Sequence, residues 1–228
     1  MSHSHTSIVT TKAVTRHFID GDKEIQVLKG IDFEVQEGEF VAIMGRSGAG
    51  KSTFLYQLSL LDTPTSGTIS LVGKRVDTLS MSEKTDFRLR YLGYVFQDYS
   101  LLPELTALEN VMVPLLMQGI PKKSAERRAE EVLTSVNLGH RTGNLPSELS
   151  GGEQQRVSIA RAMIHKPKIL FADEPTANLD SASSRLVMDI FKKLNKEDGL
   201  TVVMVTHEEE YGKMADRIVR LSDGLVVK

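Results

Sequence analysis

Apolar positions follow two different rhythms along this chain. From Ile8 to Met44 the rhythm is that of strands. Ile8-Val9-Thr10-Thr11 and Ala13 to Phe18 are rich in β-formers, Asp20-Gly21-Asp22 signals a turn, and Leu28, Ile31, Phe33 and Val35 alternate loosely before a second turn at Glu37-Gly38. These segments predict antiparallel strands. Phe40-Val41-Ala42-Ile43-Met44 is a continuous apolar run and predicts a buried strand, and a helix follows from Thr53 through Leu58. Thr63 to Gly67 breaks the chain. Thr68 to Val72 then predicts a strand, residues 82–90 a charged helix, and Tyr91 to Phe96 another strand.

Between 98 and 165 the strand signals vanish. Thr106 and Glu109 make a capping box ahead of Val111, Leu115 and Leu116. Pro121 opens a helix from Lys122 through Val136, whose Glu and Arg residues form a solvated face. Ser150 and Glu153 make a second capping box, for a helix running to Ile164. Strands return at Ile169 to Asp173 and at Thr201 to Thr206. Between them lies a helix with Leu186, Val187, Ile190, Phe191 and Leu194 on one face, and a hairpin from Asp216 to Val227 follows. The pattern predicts an α/β chain with an all-helical insertion between two strands of one sheet.

Composition narrows this picture. The 228 residues suffice for one large α/β domain with an inserted lobe, and hydrophobic and charged shares of 40% and 25% suit a soluble globular protein. A net charge of −2 gives no electrostatic footprint for nucleic acid or an anionic membrane. With no cysteine there are no disulfides and no Cys-based metal sites. No apolar run approaches the ~20 residues of a membrane span, so direct membrane insertion is not expected. The first six residues are polar and lack the apolar core of a signal peptide; His3 and His5, with no third ligand near, read as a frayed terminus.

The chemistry centres on Gly45-Arg46-Ser47-Gly48-Ala49-Gly50-Lys51-Ser52, which fits G-x-x-x-x-G-K-[ST] between a buried strand and a helix N-terminus. Glycines let backbone N–H groups turn inward around a polyphosphate, and the helix dipole adds positive potential. Lys51 is the expected partner of the β/γ-phosphates and Ser52 of Mg²⁺. Asp173 and Glu174 end a buried strand, and neighbouring strand residues face opposite ways. Asp173 suits the metal and Glu174 suits a general base or water-positioning role. Gln97 and His207 also stand at strand ends, where open α/β sheets bind ligands; a surface amide there is equally ordinary. Phe18 offers a ring for stacking on adenine, or is a half-buried strand residue. Gly151 and Gly152 are costly in a first helical turn, roughly 1 kcal/mol each against Ala. Backbone that must approach a ligand closely would explain them, making the N-terminus capped by Ser150 a second anion-binding helix end.

In this order the motifs resemble those of the nucleotide-binding subunits of ATP-binding-cassette (ABC) transporters, over about Ser7 to Lys228. The resemblance rests on Phe18, the Walker A loop Gly45 to Ser52, Gln97, the signature Leu149-Ser150-Gly151-Gly152-Glu153-Gln154, the Walker B strand Ile169 to Asp173 with Glu174, Asn178-Leu179-Asp180, and His207. It implies a P-loop NTPase fold: a mostly parallel core sheet with an antiparallel β subdomain (7–97 and 166–228) and a helical subdomain (98–165). It implies ATP and Mg²⁺ as ligands and a head-to-tail homodimer. Gly45 to Thr53 of one copy and Ser150, Gly151 and Gly152 of the other would sandwich each ATP, with Asp180 acting across the interface. Gln97 would touch Mg²⁺ and sense an integral-membrane permease, His207 would hold the γ-phosphate, and Phe18 would stack on adenine. The place implied is cytoplasmic, peripheral on the inner membrane face. Asp173 to Asp180 and Leu105 to Val111 are similar to the lipoprotein-release, macrolide-export and cell-division ATPases; Arg46 stands where that subgroup more often has Pro. The alternative is an ABC ATPase that signals mechanically to a non-transporting membrane partner. A soluble DNA-repair or translation ATPase would carry a coiled-coil insertion or a second cassette, and a small-molecule kinase would lack the signature.

Overall fold

The computed structural model describes residues 7–21 and 23–227. His3, His5 and the Asp22 corner of the first turn lie outside the described residues. Strands β1 (Ser7–Asp20) and β2 (Lys23–Gln36) form a long antiparallel hairpin. Strand β3 (Phe40–Met44) leaves that layer and feeds helix α1 (Lys51–Leu58). Strands β4 (Ser66–Leu71) and β5 (Lys74–Arg75) then return to it, giving an antiparallel sheet in the order β2-β1-β4-β5. The predicted strand near residue 70 is therefore real but belongs to the antiparallel layer, on the free edge of β1.

Helix α2 (Met81–Tyr91) leads directly into β6 (Leu92–Val95), so the predicted strand starts one residue late. Helices α3 (Ala107–Met117), α4 (Lys122–Ser135) and α5 (Gly151–Met163) fill the insertion, and both predicted capping boxes are formed, on Thr106 with Glu109 and on Ser150 with Glu153. The chain finishes with β7 (Ile169–Asp173), α6 (Ser181–Lys196), β8 (Thr201–Val205), the short α7 (Glu209–Gly212), β9 (Arg217–Ser222) and β10 (Leu225–Val227).

The second sheet runs β10-β9-β3-β8-β7-β6. All its pairings are parallel except that of β10 with β9. A parallel sheet is covered on both faces, which is why its strands read as unbroken apolar runs. Alternate residues of one strand serve different cores. Val41, Ile43, Ile169, Phe171, Val203 and Val205 face α1 and the antiparallel sheet, while Phe40, Ala42, Met44, Leu170, Val202 and Met204 face α5 and α6. Phe54 of α1 is fully buried, with its ring edge-on to Phe33 of β2 at 5.4 Å. Burial of one such ring contributes about 1.5–3 kcal/mol. This contact fixes α1, and with it the glycine loop, between the two sheets. A third core joins α3, α4 and the outer side of α5 through Val111, Leu115, Ala129, Leu133 and Val157.

Candidate nucleotide site

Between β3 and α1 the backbone takes two left-handed turns, at Gly48 (φ 79°) and Gly50 (φ 94°). Side chains with a Cβ resist this conformation. Gly45 meets a different constraint: a Cβ there would lie 2.2 Å from the carbonyl oxygen of Leu221. Gly50 caps α1 through its backbone, its carbonyl accepting from the Phe54 N–H at 2.8 Å. Lys51 is buried and folds back over the loop, donating from Nζ to the carbonyls of Gly45 (3.0 Å) and Arg46 (3.2 Å). A cavity of about 980 Å³ opens here. Residues 45–48 and 50–53 line it, together with Glu174, His207, Arg220, Val27 and Val227. Ala49 turns away into the core, so the loop's own wall is interrupted there.

Behind the loop, Ser52 Oγ donates to Asp173 Oδ1 at 2.9 Å. Asp173 is buried at the end of β7. Burial pushes its carboxyl above the ordinary range; the Ser52 hydrogen bond opposes this, and the charge of Glu174 reinforces it. Glu174 itself has left the strand. Its φ is 43°, and its N–H donates to the Val205 carbonyl at 3.0 Å. The two carboxylates therefore diverge through this left-handed residue; the strand alternation expected from the sequence does not reach Glu174. Non-glycine residues in such conformations cost of order 1–3 kcal/mol and cluster at functional sites. Glu174 Oε2 lies 3.0 Å from His207 Nδ1, and Oε1 lies 3.9 Å from Lys51 Nζ. Thus Lys51, Ser52, Glu174 and His207 line one cavity, with Asp173 directly behind Ser52.

Other expected residues stand apart from it. Gln97 lies past the end of β6, exposed and outside the cavity wall, and its carbonyl accepts from Asn178 Nδ2 at 3.1 Å. Phe18 is on the exposed part of the β1–β2 hairpin with the Arg16 guanidinium 4.5 Å from its ring centre. Ser150, Gly151 and Gly152 open α5, where Ser150 accepts from the Glu153 N–H and Glu153 accepts in return from the Ser150 N–H. Asp180 caps α6, accepting from the N–H groups of Ala182 and Ser183, which hold its carboxyl below the ordinary range. Sequence reasoning missed Val27, Arg220 and Val227. They reach the cavity because β2 and the β9–β10 hairpin fold over the loop, and no local pattern announces that.

A cavity under a glycine loop, backed by a hydroxyl and a buried strand-end carboxylate, defines a P-loop nucleotide-binding protein. Comparisons with known proteins carry this further. The ABC transporter family profile matches residues 28–177. Lipoprotein-releasing system ATP-binding protein LolD of Aquifex aeolicus is 55% identical, over 89% of this chain and 90% of that protein. Macrolide export ATP-binding/permease protein MacB of Rhodopirellula baltica is 46% identical over 91% of this chain but only 31% of its own length. A solved dimeric structure of the ATP-binding cassette MJ0796 in a post-hydrolysis state, bound to ADP and Pi, superposes with a TM-score of 0.91 at 42% identity, covering 96% of this chain and 97% of that one. The chain belongs to the ABC transporter family and is one of its ATP-binding ATPase cassettes.

Proposed function

We propose that this chain is the ATP-hydrolysing subunit of a transporter of the lipoprotein-release and macrolide-export kind, closing as a homodimer on Mg²⁺-ATP to drive an integral-membrane permease. The observation that carries the reading is the convergence of Lys51, Ser52, Glu174 and His207 on one cavity, with Asp173 behind Ser52. On this reading residues 7–97 and 166–228 are the nucleotide-binding core with its β layer, and 98–165 are the helical subdomain. Lys51 trades its two loop carbonyls for phosphate oxygens, and the N–H groups of the 45–53 loop supply the rest of the cradle.

The residues also fit Mg²⁺. Ser52 and Asp173 offer hard oxygen donors side by side, 2.9 Å apart, behind the glycine loop. Ser52 and Asp173 would hold the ion, and Gln97 would be a third protein ligand. When bound, it neutralises charge on the β- and γ-phosphates. Glu174 takes the proton of the attacking water, held to that task by His207 Nδ1. His207 and Lys51 face the charge that builds on the γ-phosphate.

Ser150, Gly151 and Gly152 open a helix remote from this chain's own cavity, which suits them to the nucleotide of a second copy, with Asp180 beside them; the dimeric solved relative supports this. Phe18 stacks on the base from the β1–β2 hairpin. The likeness to lipoprotein-releasing and macrolide-export ATP-binding proteins supports a permease as the membrane part. Exposed Leu102, with Tyr99 and Leu101 beside it, is the surface for a cytoplasmic helix of that permease. The chain thus works on the cytoplasmic side, moving a lipoprotein, peptide or drug-like substrate. Purified chain should release phosphate from ATP only with Mg²⁺, and Lys51→Ala should abolish release. Equal release by Lys51→Ala and the parent would refute the assignment.

A further inference from the structure

The β1–β2 hairpin that carries Phe18 is pinned where it crosses the segment after α1. The Thr65 N–H donates to the Thr15 carbonyl at 2.9 Å, the His17 N–H donates to Thr65 Oγ1 at 3.0 Å, and the hydroxyls of Thr15 and Ser66 meet at 2.7 Å. One side chain adds a charged tie. Arg16 donates from Nη2 to Asp62 Oδ1 at 2.9 Å, with its Nε 2.7 Å from Oδ2. A two-pronged pair of this kind fixes the plane of the guanidinium as well as its place. Asp62 is held in turn. Gln57 of α1, fully buried, donates to Oδ2 at 2.8 Å, and the Thr63 N–H donates to Oδ1 at 2.7 Å. The two ion-pair side chains are only 24% and 28% exposed, so solvent screens them less than it screens a surface pair.

The same guanidinium lies 4.5 Å from the centre of the Phe18 ring. A continuous set of contacts therefore runs from α1 through Gln57, Asp62 and Arg16 to that ring. The first residue of α1 is Lys51, so the ring is tied to the helix that carries the end of the glycine loop. Strand register leads to the same place. Arg16 pairs with Leu28 and His17 with Gln26, which leaves Val27 bulged out of the ladder. Bulges re-aim side chains, and Val27 lines the nucleotide cavity, with Phe18 paired to Ile25 two residues further along the hairpin. Asp62 follows the C-terminal end of α1, so the arginine is anchored at the end of the helix remote from the glycine loop. We infer that Arg16 is a positioning residue for the nucleotide base: clamped to Asp62, it backs one face of the Phe18 ring and leaves the other face to the base. Resting on the ATPase reading above and on base stacking by Phe18, this makes the clamp a determinant of base affinity and not of phosphate binding.

The test compares Mg²⁺-ADP with inorganic pyrophosphate and Mg²⁺ by isothermal titration calorimetry on the purified chain. Pyrophosphate carries the tail's chemistry without the base. Arg16→Ala should weaken ADP binding about threefold to tenfold and leave pyrophosphate within about twofold. Asp62→Ala should reproduce that loss. Arg16→Lys keeps the charge but not the planar fork, so it should recover only part of it. In a Phe18→Ala background, already weaker for ADP, Arg16→Ala should change ADP binding by no more than about twofold, because the arginine acts through the ring. ADP binding unchanged by Arg16→Ala overturns the inference. Equal losses for ADP and pyrophosphate, the mark of a merely structural role, overturn it too, as does the same loss with Phe18 removed. A parent chain that binds neither ligand refutes the nucleotide reading and the inference together; a parent that binds both, with Arg16→Ala indistinguishable from it, refutes the inference alone.

Discussion

Replacing Glu174 by Gln changes one atom's chemistry and almost nothing in shape. The carboxylate lies 3.0 Å from His207 Nδ1 and 3.9 Å from Lys51 Nζ. At that second distance a unit charge pair is worth about 4 kcal/mol gross at an effective dielectric near 20. Glutamine forfeits this attraction, but it also ends the repulsion with neighbouring Asp173 and frees Lys51 for phosphate. Of the charged residues lining the cavity, Arg46, Lys51 and Arg220 face Glu174 and Glu209, so neutralising Glu174 raises the surplus positive charge from one to two. A nucleotide tail is polyanionic, so ATP should bind as tightly as before or tighter. Turnover should not survive, because the amide cannot accept the water's proton. Loss of a positioned general base costs roughly 10²–10⁴ in rate, or about 3–5 kcal/mol of barrier. Phosphate release measured with Mg²⁺-ATP gives the rate, and size-exclusion chromatography with and without ATP gives the assembly. The variant should elute as a nucleotide-dependent dimer that persists where the parent's decays. Turnover above a tenth of the parent's, or a variant that stays monomeric with ATP, would refute the reasoning.

Asp173→Asn should raise the melting midpoint of the nucleotide-free chain at neutral pH. Burial raises the pKa of Asp173, so between the ordinary carboxyl range and the raised value the folded chain binds more of a proton than the unfolded chain. Stability therefore falls as pH climbs from the ordinary carboxyl range through the raised value, and the variant should lack this part of the slope; identical melting curves from pH 4 to 8 would contradict it. Gly45→Ala places a Cβ 2.2 Å from the Leu221 carbonyl oxygen and should cost about 1–3 kcal/mol, read as a lower denaturant midpoint with unchanged m-value. Gln155→Met preserves volume but strips the donor from the Pro175 and Phe96 carbonyls. Chemical denaturation should show a loss of about 1–3 kcal/mol, and a neutral result would mean that water replaces the amide.

The glycine loop was legible because its signal is local: glycine spacing, one lysine and a strand-to-helix flank all fall within about fifteen residues. The capping boxes on Thr106 and Ser150 were legible for the same reason. Alternation in the strand near residue 70 announced a strand but could not say which sheet would take it, since both sheets bury one face against the same core. The cavity wall was the least visible part. Val27, Arg220 and Val227 come from strands whose closeness to the loop depends on how the β2 and β9–β10 segments fold over it. Phe18 shows the converse: its position before the loop suggested a base partner, while the structure gives its ring an arginine neighbour outside the cavity wall. Gly151 and Gly152 stand out in the sequence by their helix cost, while the side chains that a Cβ at each would meet, Tyr99 and Ser183, come from distant segments that no local pattern announces.

The strand that carries the glycine loop pairs with β8 on one side and β9 on the other. Both partners lie beyond residue 200, so neither exists while a ribosome is still making everything that precedes Thr201. Until then β3 is an unpaired apolar segment, and Leu221, whose carbonyl backs Gly45, has not been made. The nucleotide cradle is encoded early and finished last. A nascent chain cannot be rescued by ATP, and its exposed β3 segment needs shelter from aggregation until the final hairpin emerges.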